Sequence, residues 1–559
     1  MFTQPLAPIA GSLALSALVA ALPLVLLFVL LGVFKVKAWM AALAGLAASI
    51  VVALVFWHMP AVMTLSATAE GAFYGAIPIM WILLNAIWVY QLSVITGWFE
   101  SLGKLIRSIS DDQRVLAILI AFCFGALMES LAGFGAPVAI SAAMLLAAGV
   151  KPMKAAVVSL LANTAPVAFG AMGAPIIALA SVTGLDVHVL SQMAGRQTPF
   201  VALIVPLVLV LLIDGFRGVK QTWPVALVAG VVFGLAQFIT SNYITVEITD
   251  VVASLSAIVA VLVMLRFWKP ANPLVLDHSA IAETAAAGTG KLAHYPEITA
   301  TGGRRIWGAI APYAIIIVVF SISQIPAVKT WLLSIGQVKF PWPGLGHNGP
   351  NGKAVSDVLN AAGKPVSTVF TLDHLRATGT FLLLSGIITA IVYKVRVGDA
   401  LRAYVGILKQ LRFTIVTVLS VLALAYVMNM SGQTTSLGYA LAAVGSAFAL
   451  MSPVIGWLGV AITGSDTSSN SLFGLLQVTA ANKAGLNPIL MASANSSGGV
   501  MGKMISPQNL AVAAAAVSML NKEGDIFRKV VLWSLGLLAY FTILVALQAG
   551  PLSWMVPTR

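Results

Sequence analysis

Long apolar runs alternate with short polar connections along the whole chain. Most runs have the length that crosses ~30 Å of hydrocarbon as a helix, about 20 residues. Twelve spanning helices are predicted, at 10–34, 39–57, 72–94, 155–182, 197–213, 223–240, 250–267, 306–323, 376–393, 413–430, 487–520 and 530–549. Two further stretches, 115–149 and 453–482, are too long for one helix and are broken near the middle by small and polar residues. They are expected to enter the membrane and turn back. Strand-type alternation is absent, which argues against a β-barrel. The expected fold class is therefore an all-α polytopic membrane protein, with about twelve transmembrane helices and two re-entrant hairpins.

Composition supports lipid as the solvent. Of 559 residues, 60% are hydrophobic and 9% charged, where a soluble domain carries about 25% charged residues. The net charge of +13 comes from Lys and Arg in the connections. Placing Lys35 and Lys37 in the cytoplasm puts most other basic loops there too, as orientation rules require. Arg196 and Lys483 fall on the outer side. The basic residues form no stripe on a soluble face, so nucleic acid is not an expected partner. Residues 1–34 contain no Lys or Arg, which argues for a retained first helix over a secretory signal. The single cysteine, Cys123, lies in an apolar run and reads as packing.

The two halves echo each other. Asn163-Thr164 is followed by Gly170 and Pro175, and Asn495-Ser496 by Gly502 and Pro507, at the same intervals. Upstream of each lies a break: Gly133-Phe134-Gly135-Ala136-Pro137 in one half, Thr463 to Asn470 in the other. The topology orients these segments oppositely, so residues 1–220 and 306–559 are expected to be inverted repeats, a signature of secondary transporters. Residues 221–305 would link them. The polar stretches 268–305 and 324–375 read as loosely ordered connections, the second on the outer face.

Irregular backbone at membrane depth survives only inside protein or beside a cavity. Segments 163–175 and 495–507 have the composition of interrupted helices, whose free N–H groups suit a small anion. Asn163, Thr164, Gly170, Gly173, Asn495, Ser496, Gly499 and Lys503 are the expected substrate-binding residues. The same glycines could instead serve close helix packing. The hairpin tips are expected at Gly133, Gly135 and Pro137, and at Gly464, Ser465, Thr467 and Ser468. Glu129 and Asp466 are intramembrane carboxyl groups, functional candidates by default; either could carry a coupling proton or brace a hairpin tip. Lys503 could pair with substrate or with Asp466. Glu70 and Asp214 read as helix-end charges, His58 and His188 as wetted surface residues, and Arg196 as an outer anchor. No nucleotide-binding loop or zinc motif occurs, and neither a metal nor another cofactor is expected.

The stretches GFGAPVAI (133–140), NTAPVAFGAMGAP (163–175), TGSDTSSN (463–470) and GKMISPQ (502–508) resemble those of the bacterial L-lactate permease family, and the resemblance covers essentially the whole chain. It implies a multi-pass protein of the bacterial inner membrane that takes up L-lactate, D-lactate and glycolate by proton symport, and not an enzyme. The paired hairpins are also similar to those of elevator-type carboxylate transporters. A sodium-coupled carrier of another small carboxylate, a passive channel and a membrane-embedded enzyme or sensor are the alternatives; a homodimer is left open.

Overall fold

The computed structural model describes residues 1–132, 135–274, 295, 302–323, 325–519 and 522–558. Most of the chain folds into helices, because a backbone in lipid must satisfy its hydrogen bonds within the segment. Among the described residues, ten helices are long and apolar enough to cross a membrane, or eleven if one bent pair is a single span. The ten include Gln113–Leu131, an arm of the first expected hairpin, and Val187–Tyr243, which joins two of the expected spans; two other expected spans differ locally. The stretch 376–393 forms a helix of 15 residues, Thr378–Val392, and 487–520 divides at Met504 to Ser506. An apolar stretch before residue 453 was not assigned; it forms the helix Gln433–Leu441 and a further turn, Ala442–Ala447.

The peripheral helices turn apolar side chains outward. Along Leu13–Gly32, Leu15, Leu18, Leu22 and Val25 are exposed, as lipid-facing residues should be. By contrast, the apolar window of Gln113–Leu131 is wholly buried, so this arm of the first hairpin is surrounded by protein. The second hairpin runs as Phe448–Thr463 and Asp466–Ala484, starting earlier than expected. The predicted span 72–94 is part of a longer run, Ala61–Ile95, interrupted at Ile77 where the backbone is extended. The spans predicted at 197–213 and 223–240 are continuous in helix Thr198–Tyr243 except at Gly215.

Residues 325–375, expected to be a loosely ordered connection, instead form short regular elements. After helix Pro326–Ile335 they pair Gln337–Pro341 with Val369–Asp373, and Gly346–Asn348 with Ala354–Ser356, both antiparallel. Phe2–Thr3 of the N-terminus adds a parallel strand to Val358–Leu359. An aromatic cluster explains the order: Phe370 is buried, with ring centroids 4.4–5.6 Å from those of Tyr74, Phe73, Trp342 and Phe340. Such pairs add about 0.5–1.5 kcal/mol each beyond burial. The glycines and prolines here punctuate short strands rather than a loose loop. Residues 275–294 and 296–301, the body of the expected polar link, lie outside the described residues.

One ion-pair cluster ties three connections together. The Arg114 guanidinium, 1% exposed, donates to Asp112, Asp214, Gln221 and the carbonyl of Asn272 at 2.7–3.0 Å. Asp214 is thus a partner in this cluster. Glu70, also read as a helix-end charge, is instead buried within helix Ala61–Tyr74. Removing one partner of a buried pair typically destabilises by 3–5 kcal/mol. Arg114→Ala is therefore expected to lower the thermal unfolding midpoint in detergent strongly. Arg402→Ala, at an exposed residue 3.8 Å from Asp399, should change it little.

Candidate functional site

Four irregular elements meet at one place. In the first hairpin, Gly125–Ala132 carries Glu129, and Gly135 turns left-handed (φ 85°) into helix Ala136–Ala147, whose first turn holds Pro137. Proline suits that position because its missing N–H has no partner to lose. Next, helix Pro152–Ala162 stops at Asn163 and resumes after Val167–Phe169, with a bend of 61°. Ala171, Met172 and Gly173 there have φ values of 45°, 56° and 74°. In the second hairpin Gly464 (φ 73°) ends one arm, and Ser465 caps the other by accepting from the amide of Ser468. Finally, helix Pro488–Lys503 breaks at Met504, and Ser506 caps Pro507–Ala516.

The interruption in the first half lies where the sequence placed it. In the second half it does not: Asn495 and Ser496 sit inside the unbroken helix Pro488–Lys503, and the break begins after Lys503. The glycines that suggested an earlier break serve packing. A Cβ on Gly498 would lie 2.6 Å from the carbonyl oxygen of Pro453, so these helices approach backbone to backbone.

Glu129 and Lys503 form an ion pair of 2.5 Å across 374 residues of sequence, and both are buried. Lys503 thus pairs with Glu129 rather than Asp466. The second oxygen of Glu129 accepts from the Asn163 amide at 2.9 Å. Lys503 occupies the last turn of its helix, where the partial negative charge of the helix end favours a cation. The carboxyl group rests against backbone: a Cβ on Gly170 would lie 2.9 Å from Glu129 Oε1. Gly170 is needed for that approach.

Asp466 is built in parallel fashion. It lies in the first turn of its helix, the end that favours an anion. Its Oδ2 accepts from Ser496 Oγ at 2.6 Å and from Asn470 Nδ2 at 3.3 Å, while Oδ1 has no hydrogen-bond partner. A Cβ on Gly499 would lie 2.7 Å from that Oδ1. Each hairpin carboxyl is therefore seated on a glycine of a broken pair.

Between them lies a small cavity lined by Glu129, Val167, Gly170, Ala171, Pro175, Gly464, Ser465, Asp466, Thr467 and Lys503. It offers water centres about 30 Å³, enough for two or three waters. The cavity thus brings together Glu129, Gly170, Gly464, Ser465, Asp466, Thr467 and Lys503 from the expected set. Asn163 reaches it through Glu129, and Ser496 through Asp466. Thr164 is buried behind them, its hydroxyl without a partner. Asn495 instead donates to Asn470 at 2.9 Å and accepts from Gln477 at 3.0 Å, bracing the second hairpin. Gly173 packs on Val246. Pro137 and Ser468 hold the hairpin turns, and Gly133 lies outside the described residues.

Three contributors were missed. Asn470 links Asp466 to the carbonyl of Pro175 in the other half, at 3.1 Å; its spacing of four residues from Asp466 was the available signal. Gln508 and Asn509, in the first turn after the second break, face the two tips. Cβ atoms on Gly464 and Gly135 would lie 2.8 Å and 3.1 Å from their side-chain oxygens. The four elements therefore close on one another.

The protein family described as L-lactate permease matches residues 16–551. The chain is 40% identical to the L-lactate permease of Bacillus subtilis over 574 residues, covering 100% of both proteins. It is 40% identical to the L-lactate permease of Escherichia coli K12 over 560 residues, and 41% identical to glycolate permease GlcA of the same strain over 566 residues. Each of these alignments covers 98% of both proteins. Among solved structures it is similar to the Alcanivorax borkumensis YdaH transporter, at 15% identity over 86% of each chain. The TM-score is 0.39.

The Glu129–Lys503 pair makes a testable prediction. Lys503→Met strands a buried carboxylate and should destabilise by about 3–5 kcal/mol. The double variant Glu129→Gln/Lys503→Met should recover most of that in thermal unfolding. A double variant no more stable than Lys503→Met alone would contradict the pairing.

Proposed function

The chain belongs to the L-lactate permease family, and we propose on that premise that it imports L-lactate, with D-lactate and glycolate as further substrates, together with a proton across the bacterial cytoplasmic membrane. Membership makes it a transporter rather than an enzyme, and its many apolar spans make it a multi-pass membrane protein. The substrates follow from the names of its relatives, which include a glycolate permease.

The observation that carries the mechanism is charge balance in the cavity. Its lining holds two carboxyl groups and a single cation, Lys503. A substrate carboxylate that takes Lys503 removes the counter-ion of Glu129, and an unpaired carboxylate cannot stay charged there without a large penalty. Substrate anion and proton are then bound together, the proton on Glu129. Asn163, which donates to Glu129, stays as its hydrogen-bond partner. The backbone around Gly170 and the hydroxyls of Ser465 and Thr467 are the groups available to the carboxylate and the 2-hydroxyl. Asp466 holds the second hairpin tip on the second broken pair through Ser496.

Coupling has a purpose set by the membrane. An inside-negative potential opposes a monovalent anion by about 2.3 kcal/mol per 100 mV. Carrying one proton cancels that charge. The cavity is too small for the substrate in this closed arrangement, so the hairpin tips must separate to admit it. The shared order of hairpin and broken pair, at 113–183 and 448–516, supports two inverted repeats within 1–220 and 306–559, one moving against the other as in an elevator.

In proteoliposomes, an acid-outside gradient should drive L-lactate accumulation, and replacing sodium with potassium should leave it unchanged. Glu129→Gln should lose gradient-driven accumulation while keeping lactate counterflow. Accumulation by Glu129→Gln at the unsubstituted rate would refute its proton role.

A further inference from the structure

A second and larger cavity lies outside the site, between the two parts of helix Thr198–Tyr243 and the C-terminal turn. Its volume is ≈ 550 Å³, within the range of ligand pockets, ~300–1,000 Å³. Pro199, Phe200, Leu203, Val231 and Leu235 supply apolar walls, and the groove is open on one side. Leu235 is 56% exposed, so the opening faces the bilayer.

Arg196 stands at the rim. Its Nε donates to Asn242 Oδ1 at 2.9 Å and its Nη1 to the carbonyl of Met555 at 2.8 Å. Both acceptors are neutral, and Arg196 makes no ion pair with a described residue. The two hydrogen bonds fix the guanidinium while leaving its charge uncompensated. Trp554, 76% exposed, lines the same rim, and tryptophan marks the depth of lipid head groups.

We infer that this groove is a binding site for a phospholipid with an anionic head group. One acyl chain fills the apolar channel, and the phosphate with its added negative charge meets Arg196. A second copy of the chain fits less well. A two-fold contact through this face would bury two uncompensated arginines in an apolar interface.

The test is native mass spectrometry of the full chain in detergent, with phosphatidylglycerol and phosphatidylcholine of the same acyl composition. Phosphatidylglycerol should be retained over phosphatidylcholine. Arg196→Gln should weaken phosphatidylglycerol retention about fivefold and leave phosphatidylcholine unchanged. Leu235→Trp, at an exposed position, should lower both by filling the channel. Equal retention of the two lipids, or phosphatidylglycerol binding insensitive to Arg196→Gln, would overturn the inference. So would a dimer that Leu235→Trp dissociates with lipid occupancy unchanged.

Discussion

A lysine and a glutamate buried inside a membrane protein must find each other, and most of the central architecture follows from that requirement. Charge at this depth is tolerated only when it is paired. Glu129 and Lys503 come from opposite halves of the chain and meet at 2.5 Å. For them to do so, a hairpin must stop inside the protein and a helix must end there. The end of helix Pro488–Lys503 supplies a favourable field for the ammonium. The interruption at Asn163 supplies an amide for the carboxylate.

Breaking helices leaves backbone groups unpaired, which is affordable only away from lipid. The protein satisfies this by enclosing the breaks: the first hairpin's inner arm is wholly buried, and Ser465 and Ser506 cap two of the new helix starts. Gly170 and Gly499 then let a carboxyl group lie directly on backbone. The same interactions that hold the closed state together are polar and replaceable. In the proposed mechanism a small hydroxy acid takes the place of the Glu129 carboxylate at Lys503, an exchange that an apolar contact would not allow. In the same proposed mechanism stability and transport draw on one set of groups.

Much of this was legible in the sequence because lipid imposes a length on apolar runs. The hairpins, the first break and both carboxyl groups could be read directly. The second break could not. Asn495, Ser496 and Gly498 repeat the composition of the first break, yet the glycines there admit the neighbouring helix and leave the helix intact. Composition reports that backbone comes close to something, without saying whether that is a ligand or another helix. Glu70 and Asp214 were misread because burial and partners depend on segments distant in sequence. The outer stretch 324–375 was misread because its core is aromatic and shared with helix Ala61–Tyr74. Lys503 was expected to pair with substrate or with Asp466; its pairing with Glu129, 374 residues away, needed three dimensions.

Substrate is proposed to occupy the cavity beside Lys503, and thiol protection reads that occupancy. Cys123 is the chain's single cysteine and is fully buried, so a cysteine placed at Thr467, on the cavity lining, would be the reactive one. The measurement is the labelling rate of Thr467→Cys by a small methanethiosulfonate, with and without L-lactate. L-lactate is expected to slow labelling, half-maximally at the concentration that half-saturates uptake. A rate unchanged by saturating L-lactate, in a variant that still transports it, would contradict binding beside Lys503.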